Sequence, residues 1–275
     1  MNARRRLNPI LLHAALVAGA IVTLTPFAWM LAASFMRPGE ASAIPPHFLP
    51  RSVTFEHYVA LFTRLDLARH FLNSVVITVS ATVLSLLINT MAGYAFAKLR
   101  FAGRDRLFRG LLLALVIPAQ VGMLPMFLLL REMGFVNTYM GVVIPYLSSV
   151  LGIFMIRQYI RGIPDELLDA ARADGAGEFR IFWEIVVPVV KPILVTFAAF
   201  TFLSAWNDFL WPLIVLSDNH NYTLPVALAN LVGEHVQDAE LMMAGSVLTL
   251  LPVMIVFLVF QRAYIRGIMA GSVKG

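Results

Sequence analysis

The sequence predicts an all-α membrane protein with six transmembrane helices and both termini in the cytoplasm. Of its 275 residues, 59% are apolar and only 13% are charged, whereas soluble globular proteins carry about 25% charged residues. The mean hydropathy of +0.79 agrees with this class. The apolar residues lie in runs long enough to cross a bilayer, and no large soluble domain fits between them. We therefore expect one transmembrane domain over residues 1–275.

The six predicted spans cover about residues 10–33, 71–97, 110–130, 139–156, 193–216 and 241–260. The first run follows three arginines and is too long for the apolar part of a secretory signal, so we interpret it as an uncleaved helix. The third run contains Pro118, Gln120 and Pro125. A membrane helix tolerates such residues where it faces protein or a water-filled path.

The distribution of basic residues predicts the orientation of these spans. With the N-terminus in the cytoplasm, cytoplasmic segments contain 16 of the 21 Lys and Arg residues and external segments contain five. Cytoplasmic loops carry such an excess in membrane proteins. The same placement argues against a nucleic-acid surface, because the basic residues lie in short loops beside apolar runs. The loop 98–109 and the segment Arg161–Pro192 are thereby predicted to be cytoplasmic.

The composition also limits the chemistry. The chain has no cysteine, and its six histidines are dispersed, so the sequence favours neither a disulfide framework nor a metal site. It contains no G-x-x-x-x-G-K-[ST] phosphate loop. We expect no cofactor and no catalytic residue in this chain.

The segment Arg161–Pro192, called the hairpin segment below, is the long stretch with many charges. Pro164 and the two acidic residues after it favour a helix start, and Gly175 fits a left-handed stop. A second helix is expected from near Gly177, limited by Pro188. Because a helix of about ten residues is marginal in water, it must pack on something. It either folds onto its own membrane domain or docks in the groove of a cytoplasmic partner.

The hairpin segment resembles the "EAA" loop of binding-protein-dependent ABC importer permeases. The residues that carry the likeness are Asp169-Ala170-Ala171, Asp174-Gly175-Ala176, Phe182, Ile185, Pro188 and Pro192. This sequence has Asp169 where the pattern usually has Glu, so a charge remains but its reach is shorter. Further motifs resemble the carbohydrate-uptake subfamily, in particular the smaller permease subunit of the maltose transporter; they lie at residues 71–74, 92–97, 117–120, 152–158, 205–209 and 271–275.

The resemblance implies the permease subunit of an ATP-driven importer that moves a sugar or related polar solute inward by alternating access. The hairpin segment would form a coupling helix in a cleft of a cytoplasmic ATPase subunit. The residues implied to contact or shape that interface are Glu166, Asp169, Ala170, Ala171, Asp174, Gly175, Ala176, Phe182, Ile185 and Pro188. The tail residues Gly271, Ser272, Val273, Lys274 and Gly275 would also contact the ATPase, unless they are an ordinary disordered terminus.

The implied partners are a second, homologous permease subunit, two ATPase subunits that bind ATP and Mg, and a periplasmic solute-binding protein. The implied location is the bacterial cytoplasmic (inner) membrane, with several passes. In the external segment 34–70, a short helix over residues 55–62 with Thr54 as its cap lies either on the membrane surface or against the binding protein. The sequence leaves oligosaccharide, monosaccharide, polyol and glycerol phosphate open as substrates.

Polar residues inside the spans are candidates for the substrate path. Asp208 is the one carboxylate within a predicted span, and an intramembrane carboxylate is a functional candidate by default. It lies beside Trp206 and Trp211, so a structural role at a helix broken near Pro212 is the alternative. The candidate path residues are Asn73, Asn89, Tyr94, Gln120, Asn207 and Asp208.

An ion-coupled secondary transporter is the alternative function. Such proteins place carboxylates and broken helices at mid-membrane, often in repeated halves. This sequence has one off-centre carboxylate and no visible repeat, which favours the importer. A membrane enzyme has less support, because the spans hold no paired carboxylates.

Overall fold

The computed structural model describes residues 9–45, 47–64, 66–234 and 238–272, and within these ranges every regular element is helical. The α-helices are α1 (Pro9–Ala33), α2 (Glu56–Arg64), α3 (Leu67–Lys98), α4 (Arg104–Ala114), α5 (Ala119–Glu132), α6 (Tyr139–Val143), α7 (Val150–Arg161), α8 (Asp165–Ala173), α9 (Glu178–Ile181), α10 (Val187–Trp206), α11 (Leu210–Val215), α12 (Leu224–Glu234) and α13 (Ala239–Ser272). Short 3₁₀ turns cover Ile144–Tyr146 and Asn219–Asn221, and a π-helical turn covers Phe182–Val186.

Four helical stretches of the described residues are long and apolar enough to cross a membrane. They are Ile10–Ala33, Leu67–Lys98, Glu178–Trp206 and Ala239–Gln261. Two bent helix pairs raise the number to six if each pair is one span. The all-helical membrane class is thus confirmed, with four to six candidate spans.

The chain forms two compact units. The first combines Met1–Ala68 with Leu228–Leu251, and the second combines Arg69–Ala227 with Pro252–Gly275. In the first unit, α1 exposes its apolar side chains along its length. The buried residues follow α1: Met36 and His57 are buried, and the His57 ring nitrogen Nε2 lies 3.0 Å from the Met36 carbonyl oxygen. A surface as apolar as that of α1 suits lipid contact.

The predicted external helix of the first unit is α2, which begins at Glu56 rather than Phe55. The Thr54 hydroxyl accepts a hydrogen bond from the Glu56 amide at 3.2 Å, so the predicted cap is present. Deeper in the unit, the Glu240 carboxylate is fully buried and accepts a 2.6 Å hydrogen bond from the Ala41 amide. The segment between α1 and α2 is thereby held by side chains that the sequence analysis did not single out.

The second unit contains two clusters of buried apolar side chains. The hairpin core consists of Tyr94, Ile156, Ile160, Ile163, Leu168, Ile181, Phe182, Val186, Val190, Ile193 and Phe197. The broken-helix core consists of Ile77, Ala81, Leu130, Val142, Val143, Ala205, Trp211, Val215 and Leu216. Helices α3 and α10 supply residues to both cores, so each helix runs through both regions.

Helices α3 and α7 approach closely because Gly93 has no side chain. A Cβ atom on Gly93 would lie 2.9 Å from Ile156 Cγ2 and 3.2 Å from the Arg157 amide nitrogen. Small residues allow such backbone contact between membrane helices. Gly152 of α7 is packed in the same way against the Phe197 ring of α10. These contacts fix α7 between α3 and α10.

The predicted span 110–130 is wrong as a single helix. It consists of the end of α4 and most of α5, whose axes differ by 106°. Pro118 lies at the N-cap of α5. A proline lacks the amide hydrogen and clashes with the preceding turn, and it moves the residue before it out of helical geometry. Pro125, by contrast, is accommodated inside α5.

The predicted span 139–156 is also broken, into α6, a 3₁₀ turn and α7, with a 45° bend. The predicted span 193–216 is interrupted between Trp206 and Leu210, where residues 207–209 leave the helix. The span predicted at 241–260 extends to Ser272 in α13, and the loop predicted at 217–240 contains α12. Polar or proline residues at the breaks explain the interruptions, because each removes or competes for a backbone hydrogen bond.

The second helix of the hairpin segment does not end at Pro188. Glu178–Trp206 forms one helical run that continues through Pro188 and Pro192. The π-helical turn lies directly before the first of these prolines. Prolines and π turns interrupt the regular ladder of hydrogen bonds, so placing them together confines the disturbance to one site.

Candidate functional site

The start and stop predicted for the first helix of the hairpin segment are confirmed. Helix α8 begins directly after Pro164 and ends before Gly175, which has a φ of +85°. The Gly175 amide donates to the Arg172 carbonyl at 3.0 Å, and the Ala176 amide donates to the Ala171 carbonyl at 2.9 Å. This is the left-handed closure that glycine allows at a helix end.

Helix α8 buries one of its two leucines and exposes the other. Leu168 is 1% exposed and belongs to the hairpin core, whereas Leu167 is 46% exposed. The burial of Leu168 shows that α8 packs on its own unit, which is the first of the two arrangements considered for the hairpin segment. Docking in the groove of a partner stays open as well, because the opposite face of α8 is uncovered.

A hydrogen-bonded chain joins α8 to α3 through Glu178. Arg172 Nε donates to Glu178 Oε1 at 2.7 Å, and another Arg172 nitrogen donates to Asp169 Oδ1 at 2.7 Å. The Tyr94 hydroxyl donates to the second Glu178 oxygen. The hydrogen bond to Glu178, assisted by that to Asp169, raises the pKa of the Arg172 guanidinium above its ordinary value. Asp169, the residue that replaces the usual Glu, is thus held one helical turn from its partner.

A second link joins the other end of α8 to α3. Lys98 Nζ donates to the Ile163 carbonyl and to Asp165 Oδ1, both at 2.5 Å. The Lys98 side chain is nearly buried while that of Asp165 is exposed. The hydrogen bond from Lys98 lowers the pKa of the Asp165 carboxyl below its ordinary value. Helix α8 is therefore tied at both ends to the last turns of α3.

The predicted contact residues of the hairpin segment fall into three groups by burial. Phe182 is buried in the hairpin core, whereas Ala171, Ala176 and Ile185 are partly buried. The exposed members are Glu166, Asp169, Ala170, Asp174, Gly175 and Pro188. The buried position of Phe182 means that it supports this surface from beneath.

Two aromatic residues extend the exposed surface of the hairpin segment. Phe179 is 70% exposed and Trp183 is 44% exposed, and their rings meet edge to face with centroids 6.2 Å apart. The sequence analysis omitted both from the contact set, although their spacing of four residues was a usable signal. We call the exposed residues of α8 together with Phe179 and Trp183 the hairpin face.

A cavity of about 500 Å³ lies where the helices of the broken-helix region are interrupted. Its lining is Ala119, Gln120, Gly122, Met123, Met126, Pro145, Tyr146, Ser204, Asp208 and Trp211. We call it the broken-helix cavity. The predicted path residues Gln120 and Asp208 are brought together here. The polar groups stand against aromatic and thioether surfaces, which is the usual composition of a small-molecule site.

Asp208 makes two structural contacts and also lines the broken-helix cavity. Its Oδ2 accepts a 2.6 Å hydrogen bond from the Tyr146 hydroxyl, and its Oδ1 accepts one from the Trp211 amide at 3.3 Å. The second contact satisfies a free amide at the start of α11. The carboxylate is also partly exposed in the cavity lining. Its structural contacts therefore orient it toward the cavity rather than exclude it.

The other predicted path residues lie outside the cavity lining. The Asn73 amide nitrogen donates to the His220 and Tyr222 carbonyls, and its oxygen accepts from the Tyr139 hydroxyl at 2.5 Å. Asn73 is buried, so its polar atoms are used within the protein.

Asn89 is fully buried and caps the start of α7. Its oxygen accepts from the Ser149 amide at 2.8 Å, and its nitrogen donates to the Ser85 and Leu147 carbonyls. The Tyr94 hydroxyl donates a hydrogen bond to Glu178. Asn207 is exposed, and its side-chain amide donates to the Leu203 carbonyl.

Of the tail residues, Gly271 and Ser272 end α13, and Val273, Lys274 and Gly275 lie outside the described residues.

Comparison with known proteins identifies what the chain is similar to. A family model described as "Binding-protein-dependent transport system inner membrane component" matches residues 89–269. The arabinooligosaccharides transport system permease protein AraQ of Halalkalibacterium halodurans is 39% identical over 99% of this chain and 100% of its own length. The lactose transport system permease protein LacG of Rhizobium radiobacter is 34% identical over 98% of both chains.

A solved structure has the same fold. It is a chain from the crystal structure of a bacterial ABC transporter involved in the import of the acidic polysaccharide alginate. It superimposes with a TM-score of 0.83 at 25% identity, covering 95% of this chain and 98% of that chain.

Proposed function

Because the chain belongs to the family of binding-protein-dependent transport system inner membrane components, we propose that it is the sugar-carrying permease subunit of an ATP-driven importer whose ATPase contact is the hairpin face. It is a multi-pass protein of the cytoplasmic membrane, in a family of transporter subunits rather than enzymes. One observation carries the proposal: α8 is held to its own unit by Leu168, by the partly buried Ala171 and by polar links, and its other face is uncovered.

The proposed topology has six spans and cytoplasmic termini, with residues 1–275 as one permease domain. Each bent helix pair counts as one span, which agrees with the length and composition of the pairs. The excess of basic residues in loop 98–109 and in the hairpin segment supports their cytoplasmic placement. In this arrangement the hairpin face points toward the ATPase subunits and the broken-helix cavity lies within the membrane.

The proposed partners are a second, homologous permease subunit, two ATPase subunits and a periplasmic solute-binding protein. ATP and Mg are assigned to the ATPase subunits, and no cofactor is assigned to this chain. The tail residues 271–275 are proposed as a further ATPase contact. The names of the similar permeases, which refer to arabinooligosaccharides and lactose, support a sugar as the transported solute.

The hairpin face and the α3 links give the proposed route of coupling. Leu167, Phe179 and Trp183 offer apolar area to a groove, and α8 adds exposed acidic residues to the hairpin face. When the ATPase pair closes, movement of α8 acts on α3 through Lys98 and Glu178. Since α3 also contributes to the broken-helix core, the displacement reaches the region of the cavity. Alternating access follows if the cavity opens to each side in turn.

The broken-helix cavity is the proposed part of the sugar path in this chain. Sugars offer hydroxyl groups to amide and carboxylate side chains and apolar faces to aromatic rings. Gln120 and Asp208 supply the polar groups, and Tyr146, which is partly exposed, supplies a ring. The proposal no longer includes Asn73, Asn89 and Tyr94 as groups that contact the sugar. Their hydrogen bonds stabilise the packing of the helices around the path.

The test is reconstitution with the partner subunits in vesicles. We expect sugar uptake that requires ATP and the cognate binding protein. Because the chain has no cysteine, Ala170→Cys on α8 can be cross-linked specifically to the ATPase subunit, with the exposed loop variant Ser217→Cys as the control. Uptake driven by an ion gradient without ATP would establish the secondary transporter instead. Cross-linking of Ser217→Cys but not Ala170→Cys would overturn the assignment of the hairpin face.

A further inference from the structure

A basic cleft of about 810 Å³ lies beside the hairpin segment in the second unit. We call it the arginine cleft. Its cationic lining consists of Lys98, Arg100, Arg104, Arg157, Arg161 and Arg172. Lys98 and Arg172 take part in the links between α8 and α3. The remaining arginines have no part in the proposed route of coupling.

The carboxylates of the cleft neutralise only part of its charge. Asp165 is paired with Lys98, and both Asp169 and Glu178 are paired with Arg172. Arg104 pairs with its neighbour Asp105. Among the described residues, Arg100, Arg157 and Arg161 form no ion pair with a carboxylate. Like charges gathered in one cleft repel each other, so an anion bound among them is stabilised.

Arg157 is held in a fixed position within the cleft. It is partly buried, and its Nε donates to the Phe96 carbonyl at 3.0 Å. The guanidinium carbon lies 3.9 Å from the centroid of the buried Phe108 ring. A guanidinium oriented in this way keeps its terminal nitrogens available for two parallel hydrogen bonds, the arrangement that phosphate oxygens match.

The surroundings of the arginine cleft suit a lipid. A neighbouring cleft of about 700 Å³ shares Arg100 and Arg104 and adds Phe101 to its lining. The Phe101 and Leu107 side chains are exposed. The arginine cleft lies between the last turn of α3, the end of α7 and the start of α4. Basic groups at helix ends beside exposed apolar side chains correspond to the headgroup and acyl levels of a bilayer.

We propose that the arginine cleft binds the phosphate of an anionic phospholipid from the cytoplasmic leaflet, with acyl chains lying along Phe101 and Leu107. Phosphatidylglycerol has the required chemistry, since it carries a net negative phosphodiester. The inference rests on the proposed function in one respect only, which is that the arginine cleft faces the cytoplasm. The bound lipid would brace α4 and α7 beside the hairpin segment.

The experiment uses the full transporter complex, purified in detergent and analysed by native mass spectrometry. The probes are phosphatidylglycerol, phosphatidylcholine and inorganic phosphate. The cleft variant is Arg100→Gln with Arg161→Gln, because both side chains are exposed and neither change disturbs the buried Arg157. The matched control is Arg37→Gln with Arg131→Gln, which removes two exposed arginines from segments predicted to be external.

We expect the wild-type complex and the control to prefer phosphatidylglycerol to phosphatidylcholine. The cleft variant should lose about thirtyfold of that preference, since each of the two arginines removed contributes about fivefold to the binding of an anionic headgroup. Equal retention of phosphatidylglycerol by the cleft variant would overturn the proposal. So would displacement of the lipid by millimolar inorganic phosphate, which would identify a site for free anions.

A remaining outcome concerns the ATPase subunit. If an Arg161→Cys variant is shielded from a maleimide by the ATPase subunit in lipid-free complex, the cleft belongs to the protein interface and the lipid assignment fails. ATP-driven sugar uptake is measured on the same preparations. Normal uptake without lipid preference refutes the lipid site alone, whereas absent ATP coupling refutes the proposed function regardless of lipid.

Discussion

The regions around the hairpin core and the broken-helix core share the long helices α3 and α10 but differ in helix continuity. We call them the hairpin region and the broken-helix region. In the hairpin region, the helical run from Glu178 passes through two prolines without ending, and polar links tie α8 to α3. In the broken-helix region, three successive spans predicted from the sequence are interrupted, and a cavity remains between the pieces. Continuous helices suit the transmission of a displacement, and interrupted helices suit a passage that changes shape.

The comparison predicts that mutations in the two regions have separable consequences. Damage to the hairpin region should uncouple transport from ATP hydrolysis, and damage to the broken-helix region should change the solute rather than the coupling. The variants below are ordered from the largest expected effect to the smallest. The first three are each compared with a variant of a nearby residue that the structure places differently.

Leu168→Asp should have the largest effect. It buries an unpaired carboxylate in the hairpin core, which costs several kcal/mol, so α8 should detach and ATP-driven uptake should be abolished. The check is limited proteolysis of the hairpin segment together with vesicle uptake. Leu167→Asp is the control: α8 should stay protease-resistant, and only docking of the ATPase should weaken. Equal proteolysis of the two variants would contradict the division of α8 into a buried and an exposed face.

Glu178→Gln should reduce coupling by about tenfold, since hydrogen bonds to charged groups contribute roughly 1.5–3 kcal/mol. The neutral amide keeps the shape of the side chain but loses the ion pair with Arg172. The measurement is sugar moved per ATP hydrolysed. Glu184→Gln, which breaks only an exposed pair with Arg180, should leave the ratio unchanged. An unchanged ratio in Glu178→Gln would remove the α3 link from the mechanism.

Asp208→Asn should lower uptake or change solute preference by up to about tenfold, in line with the loss of one charge-assisted hydrogen bond. The moles of ATP used per sugar should stay constant. Asn207→Ala, at an exposed neighbour outside the cavity lining, is the control. Wild-type rate and selectivity in Asp208→Asn would assign the carboxylate to the start of α11 alone.

The smallest effect is a pH dependence of the link at Asp165. Its pKa is lowered from the ordinary 3.8 by the hydrogen bond from Lys98, so the link stabilises α8 fully above pH 3.8 and is lost as the pH falls through the lowered pKa. The protection factors of the α8 amides, which are exchange rates corrected for the intrinsic pH dependence of amide exchange, should therefore be constant near neutral pH and fall only in strong acid. Asp165→Asn should lose that acid-dependent part. A fall in protection between pH 5 and 7 would point to another titrating group.

Much of the hairpin segment was predictable because its signals are local. Pro164 and Gly175 act through their own backbones, so the start and stop of α8 follow from residue type alone. The division of Phe179, Phe182 and Trp183 between face and core did not follow. It depends on which side of the helical run packs against the other helices, where the Phe182 ring contacts the Tyr94 ring. Such packing leaves no local signal in the sequence.

The polar residues of the spans were predictable as a set but not individually. Asn73 and Asn89 resemble Gln120 in sequence, being amides within apolar runs. Their partners are carbonyl, amide and hydroxyl groups from distant segments, and such contacts exist only once the helices are packed. The break at Pro118 was signalled by the proline itself, but the 106° angle between α4 and α5 was not.

Helix α1 has a consequence for how the cell handles this subunit. Within the described part of the chain, α1 exposes its apolar side chains along most of its length. Few contacts within the chain therefore fix its position. Lipid covers such a surface but does not fix the position of the helix, so newly made copies should be short-lived until the companion permease packs against α1. Subunit abundance is thereby tied to assembly. Pulse-chase labelling with and without the companion permease measures this, and equal half-lives would show that α1 carries no such degradation signal.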